Sequence, residues 1–161
     1  MKVLRVGVPV LALSLAGCGG GPVPVAVPEP VAADRAGAVE YYTRVQRDAM
    51  AALSDAFPEM QFRQSDPATT AYCEMPDGSA GTTVFLPIHL SDRPVPPGQL
   101  ERAARVFEES LAGTGFRGAR SLPVETGLQI RMFAADGSSI SFGSYLAVTV
   151  GLTVGCYPDR P

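Results

Sequence analysis

Apolar positions along the chain fall into two helical stripes and a set of alternating runs. Tyr42, Val45, Ala49, Leu53 and Phe57 recur at spacings of four, three, four and four, one face of a 3.6-residue helix. The spacing predicts a helix from Asp34 or Arg35 to about Ala56, stopped by Pro58. Arg44, Arg47, Asp48 and Asp55 fall largely outside the stripe. Leu100, Ala103, Ala104, Phe107 and Leu111 predict a second helix over about Gly98 to Ala112, with Gly113 and Gly115 as its end signal.

Between the helices the period shortens to two. Met60 to Gln64 reads as a short strand closed by a Ser65-Asp66-Pro67 turn. Thr69 to Met75 reads as a second, with Ala71, Cys73 and Met75 on one side. Pro76-Asp77-Gly78-Ser79 turns the chain into a return strand, Thr82 to Leu90, whose Val84, Leu86, Ile88 and Leu90 share a face. Pro87 cannot donate to a ladder, so this strand is expected at an edge or with a bulge. Ser91 to Pro97 is a proline-studded connection, and Arg117 to Thr126 an irregular one. Leu128, Ile130 and Met132 then alternate with Gln129, Arg131 and Phe133, and Asp136-Gly137 signals a type I′ hairpin returning through Ile140 and Phe142. After Gly143-Ser144, Leu146, Val148, Val150, Leu152, Val154 and Cys156 line one face without interruption. Such strict alternation argues for a sheet buried on one face, with Cys156 on the core side.

Two striped helices have one apolar sheet face to cover. The expected fold is therefore α+β, a two-layer sandwich with both helices on one face of a mostly antiparallel sheet of four to six strands. The uncovered face would carry Gln129, Arg131, Ser141, Thr149 and Thr153, a possible interaction face.

The first residues change the picture from fold to location. Lys2 and Arg5 precede an apolar run, Val6 to Ala16, that Leu15-Ala16-Gly17-Cys18 closes. This is a secretory signal layout, and the junction resembles the lipobox of bacterial lipoproteins. Residues 1–17 are then a signal peptide and Cys18 the first mature residue, carrying a diacylglyceryl thioether and an amide-linked third chain. The run is about a dozen residues, short of the roughly 20 a spanning helix needs, and contains Pro9. Residues 18–33 follow as a tether. Prolines at 22, 24, 28 and 30 forbid a helix and favour polyproline II, which at about 3.1 Å per residue holds the domain up to roughly 40 Å off the membrane. Residues 34–161 form a single domain.

Of three cysteines, Cys18 takes the lipid. Cys73 and Cys156 are left to pair in an oxidising compartment, their Cα atoms within about 7 Å, the alternative being two buried thiols. From Cys18 onward there are eleven basic and sixteen acidic residues, a net charge of −5. Nothing in that balance recommends nucleic acid or a direct electrostatic hold on anionic lipid.

The lipobox, Cys73 in a middle strand, the Asp136-Gly137 hairpin and the long last strand ending Gly155-Cys156 together resemble the LppA-like small lipoproteins of actinobacterial envelopes. The resemblance implies no established enzymatic activity and no catalytic residues to transfer. The residues agree: the single histidine, His89, is expected on the polar side of an edge strand, and no G-x-S-x-G elbow accompanies it. No metal set is expected, since one histidine is too few and the cysteines are used; no phosphate-binding glycine loop or cofactor motif is present. Glu108-Glu109 reads as a solvated helix face. The expectation is a cell-membrane lipoprotein, anchored through Cys18 on the extracytoplasmic side, binding an envelope protein or wall component without catalysis. A carrier of a lipid or other apolar ligand is the second reading and a small hydrolase the third.

Overall fold

The first helix, α1 (Arg35–Ala56), begins where Asp34 accepts from the Gly37 N–H through its side chain at 2.7 Å. Its buried face is the stripe read from the spacing, Tyr42, Val45, Ala49 and Leu53, with Phe57 closing the end. These positions belong to a computed structural model that describes residues 31–121 and 127–158. The signal peptide, Cys18 and all of the tether before Val31 lie outside the described residues, as do Leu122–Thr126 of the expected irregular connection and the last three residues.

After α1 come β1 (Arg63–Asp66), β2 (Thr69–Glu74), β3 (Ala80–Phe85) and β4 (Ile88–Ser91). A short 3₁₀ turn (Pro97–Gln99) leads into α2 (Leu100–Ser110), followed by β5 (Arg117–Ser121), β6 (Leu128–Phe133), β7 (Ser139–Ser144) and β8 (Val148–Pro158). The eight strands form one sheet, more than the four to six expected, and every pairing is antiparallel. The class is α+β as expected. β8 organises it: β7 pairs along one side, while β4 pairs with its first part and β3 with its last. β6 and β5 continue beyond β7, β1 flanks β4, and β2 flanks β3. The two helices pack on each other and α1 on β8. Phe107 of α2 stacks on Phe142 of β7 at 5.3 Å between ring centroids.

Most departures from the expected pattern have a backbone cause. The single return strand Thr82–Leu90 is two strands, because Pro87 has no N–H to continue a ladder. The break shifts the side-chain phase. Leu86 is buried, but Ile88 is 42 % exposed, and Leu90 lies opposite exposed Thr149, so both face away from the helices. His89 lies opposite Val150 on the helix side, contrary to its expected polar side. Gln46 of α1 is buried here, its Nε2 donating to the carbonyls of Pro87 (2.9 Å) and Val150 (3.3 Å) where the ladder changes partner.

A second phase shift falls at Gly155. Val84 pairs with Val154 but Thr82 with Tyr157, so β8 carries one extra residue there, a bulge. Tyr157 thus takes the core side and Cys156 the other, reversing the expected assignment of Cys156. Gly155 suits the bulge because a Cβ would collide with the Asp136 carbonyl, and its N–H donates to Ser138 Oγ instead of the ladder.

The Asp136-Gly137 turn is not type I′. No described non-glycine residue has positive φ; within this turn only Gly137 does, and the Gly137 N–H donates to the Ala134 carbonyl. This is a type I turn with glycine in the bulge position, and Met75–Ser79 repeats it with Gly78. The Met60–Gln64 strand sits later, at Arg63–Asp66, because Met60 is buried as the chain leaves α1. Asp66 therefore ends a strand and not a turn. The first part of the expected irregular stretch, Arg117–Ser121, is the edge strand β5. Leu146, expected to begin the core-facing run, is 76 % exposed in the turn between β7 and β8.

Candidate functional site

The helices cover one side of the sheet, and the other is built from rows of residues directly opposite one another. Gln129, Gly143 and Thr149 form one row across β6, β7 and β8, continued by Leu90. Arg131, Ser141 and Gly151 form the next, with Ile88 beyond Gly151. Phe133, Ser139, Thr153 and Phe85 form the third. All five residues expected on this face are therefore on it. The glycines in the first two rows leave the middle low, while Phe85 (42 % exposed), Ile88 (42 %) and Phe133 (39 %) stand at its sides.

Two parts of this face lie outside what the pattern predicts. Alternation puts Ile88 and Leu90 on one face with Val84 and Leu86, and the phase shift at Pro87 that separates them has no periodic signal. Arg117 and Arg120 lay in a stretch without alternation. The register puts Arg120 opposite Arg131 and Arg117 opposite Phe133, with the Arg120 guanidinium 5.5 Å from the Phe133 ring centre.

At one end of the sheet a polar knot joins α1, the β6–β7 turn and β8. Asp136 Oδ2 accepts from the hydroxyls of Tyr42 and Tyr157, each at 2.9 Å, and Oδ1 accepts from the Ser138 N–H at 2.9 Å. Burial raises the pKa of both tyrosines far above the ordinary value, and the Asp136 carboxylate beside them adds to it. Both stay protonated at neutral pH and donate. The knot is thus a lock between elements, its hydroxyls and carboxylate satisfied by one another.

Cys73 and Cys156 are bridged, with Cα atoms 5.9 Å apart. β3 lies between their strands in the sheet, and Gly81 opposite Cys73 makes room: a Cβ there would stand 2.7 Å from Cys156 Sγ and 2.8 Å from the Tyr157 carbonyl. A cleft of about 780 Å³ runs beside the bridge, lined by Met75, Asp136, Tyr157 and Pro158 among others. His89 Nδ1 is buried without a hydrogen-bond partner among the described residues, and no serine or acid bonds to it. Among those residues no group of three or more His, Cys, Asp or Glu is placed to hold a metal, and no helix is long and apolar enough to cross a membrane.

No family model matches the chain, and no curated protein does. Among solved structures, a DUF4853 family protein from Actinomyces odontolyticus is similar to it, with a TM-score of 0.59 over 85 % of this chain and 75 % of that one. They share a fold. At 14 % identity the likeness extends no further than that.

Proposed function

We propose that the chain is a lipid-anchored protein of the cell envelope, held by Cys18 on the outer side of the membrane, whose domain is a non-catalytic binding module. The observation that supports the binding-module part of this reading is the sheet face that no described helix or strand covers. Phe85, Ile88 and Phe133 stand exposed there around a low centre, beside Gln129, Arg131, Ser141, Thr149 and Thr153. Exposed large apolar side chains interspersed with polar ones on one sheet face have the composition of an interaction surface. The partner class is an envelope protein or wall component. The likeness to the LppA-like lipoproteins is proposed on the same footing, and the Actinomyces structural neighbour is compatible with it.

The carrier reading called for a cavity between helices and sheet, lined by the two apolar stripes. Among the described residues, clefts of about 430, 780 and 550 Å³ lie instead around the ends and edges of the sheet, and one of about 330 Å³ opens on its far face beside Gln129, Gly143 and Thr149. Tyr42, Ala49, Leu53 and Phe107 are 0 % exposed, packed against the sheet. This supports the module over the carrier.

The test is photo-crosslinking in intact cells. A crosslinking residue at Thr149 is expected to yield defined adducts, and the same residue at Thr43, exposed on α1, none. In the same cells Cys18→Ser should leave the membrane fraction or stay an uncleaved precursor. Equal adducts from both positions would remove the sheet face from the reading, and unchanged membrane retention of a processed Cys18→Ser chain would remove the lipid.

A further inference from the structure

Val31, where the described chain begins, lines a cleft of about 430 Å³ with Gly115, Arg117, Phe133 and Asp136. The chain from the expected anchor therefore arrives at the β5–β6 edge of the open face, only thirteen residues after Cys18. That edge is basic. Arg117, Arg120 and Arg131 are exposed, and none pairs with a carboxylate among the described residues. Asp136, the acid in the cleft, is occupied by Tyr42, Tyr157 and Ser138. Arg120 and Arg131 stand directly opposite each other, and like charges so placed weaken a ladder. Among the described residues no acid offsets the pair, and an anion would relieve it.

We propose that this edge seats on the bilayer that holds the Cys18 acyl chains, with Arg117, Arg120 and Arg131 meeting the phosphates of anionic phospholipids and Phe133 entering the headgroup layer. The proposal rests on the lipid-anchor reading above. Guanidinium groups form paired hydrogen bonds with phosphate oxygens. An exposed aromatic ring beside arginine suits the boundary between headgroups and acyl chains. The net charge of −5 does not prevent this, because at physiological ionic strength screening sets in within about 8 Å, so the sign of the nearest charges decides. The whole-chain charge balance, which recommended no hold on anionic lipid, averages over this edge. The β3–β4 side of the face, with Phe85 and Ile88, is left free for the envelope partner.

The sequence has no tryptophan, so Phe133→Trp supplies a single reporter. The acylated chain, purified from membranes, is incorporated into vesicles of phosphatidylcholine alone or of phosphatidylcholine mixed with phosphatidylglycerol. Flotation with both kinds reports the anchor, and failure to float with neutral vesicles overturns the anchor reading and this proposal together. Given flotation, tryptophan emission is expected to move to the blue only with the anionic vesicles, and to return in salt near 1 M, where the Debye length is about 3 Å. Equal emission on the two vesicles overturns the docking proposal alone. Adding Arg120→Glu turns the like-charged pair into an opposite one, so the melting temperature should hold or rise while the blue shift is lost. A shift that survives this change overturns the proposal. So does a shift produced by soluble polyphosphate and not by the vesicles, which would give the edge to a dissolved polyanion.

Discussion

The Asp136 carboxylate accepts hydroxyl hydrogen bonds from Tyr42, 94 positions earlier, and from Tyr157, 21 positions later. A hairpin-turn residue thereby fixes α1 and the end of β8 to the β6–β7 loop. Hydrogen bonds to a charged acceptor contribute about 1.5–3 kcal/mol each, so the two together are a sizeable part of a typical folding free energy of about 5–15 kcal/mol. They depend on protonated phenols. Folding raises both pKa values above the ordinary 10.0 through burial and the neighbouring carboxylate. A group whose pKa rises on folding contributes fully below its unfolded value and loses that contribution as pH climbs past it. The melting temperature should therefore fall steeply above about pH 10 on account of these groups. Tyr42→Phe with Tyr157→Phe should lower it at neutral pH and flatten the alkaline fall, readable as melting curves across the range. An unchanged alkaline slope would mean that other groups set it. The knot could not be foreseen residue by residue: Tyr42 fits an apolar stripe and Asp136-Gly137 a turn, and neither pattern contains the other.

At the level of elements, the parts that follow one period were legible and the parts that break period were not. Helix α1 begins at Arg35, after its Asp34 cap, and ends at Ala56, because stripe, cap and Pro58 agree. Val148, Val150, Leu152 and Val154 are buried as their alternation demands. Beyond Gly155 the same alternation misplaces Cys156, because a bulge adds a residue without changing composition. β5 escaped notice because all five of its positions are exposed, leaving no apolar signal to read. β4 is the sharpest case, since Pro87 ends one ladder and the next restarts in the opposite phase. Its prediction inverts the naive pattern. Ile88→Asp should change the melting temperature little, its neighbour across the sheet being Gly151 on the open face. Val150→Asp buries an unpaired charge at a position 0 % exposed and should unfold the domain, a change of several kcal/mol. A collapse caused by Ile88→Asp would show that β4 sits in the phase alternation alone predicts.

Across the molecule the layers are unequally held. The helices pack over β8 and its neighbours, but β2 lies beyond their cover, all of its positions exposed except Cys73, and pairs with β3 alone. A strand with little burial on either face has no hydrophobic share in the fold and would be expected to open first. The Cys73–Cys156 bridge supplies the missing constraint, tying β2 past Gly81 to β8, the strand that pairs with β7, β4 and β3. With a sequence separation of 83 between the two cysteines, the chain-entropy model assigns it about 4–5 kcal/mol as an upper figure. The same bridge suits the oxidising compartment proposed for the anchored domain. Replacing both cysteines by serine should lower the melting temperature, but the more telling effect is where protection is lost. Amide hydrogen exchange should quicken first in Thr69–Glu74, while Val148–Val154, central in the sheet and buried at alternate positions, stays protected. If the two segments lose protection together, β2 belongs to the cooperative core and the bridge acts only on the unfolded chain. If neither changes, the β2–β3 ladder suffices and the bridge is not what holds the strand.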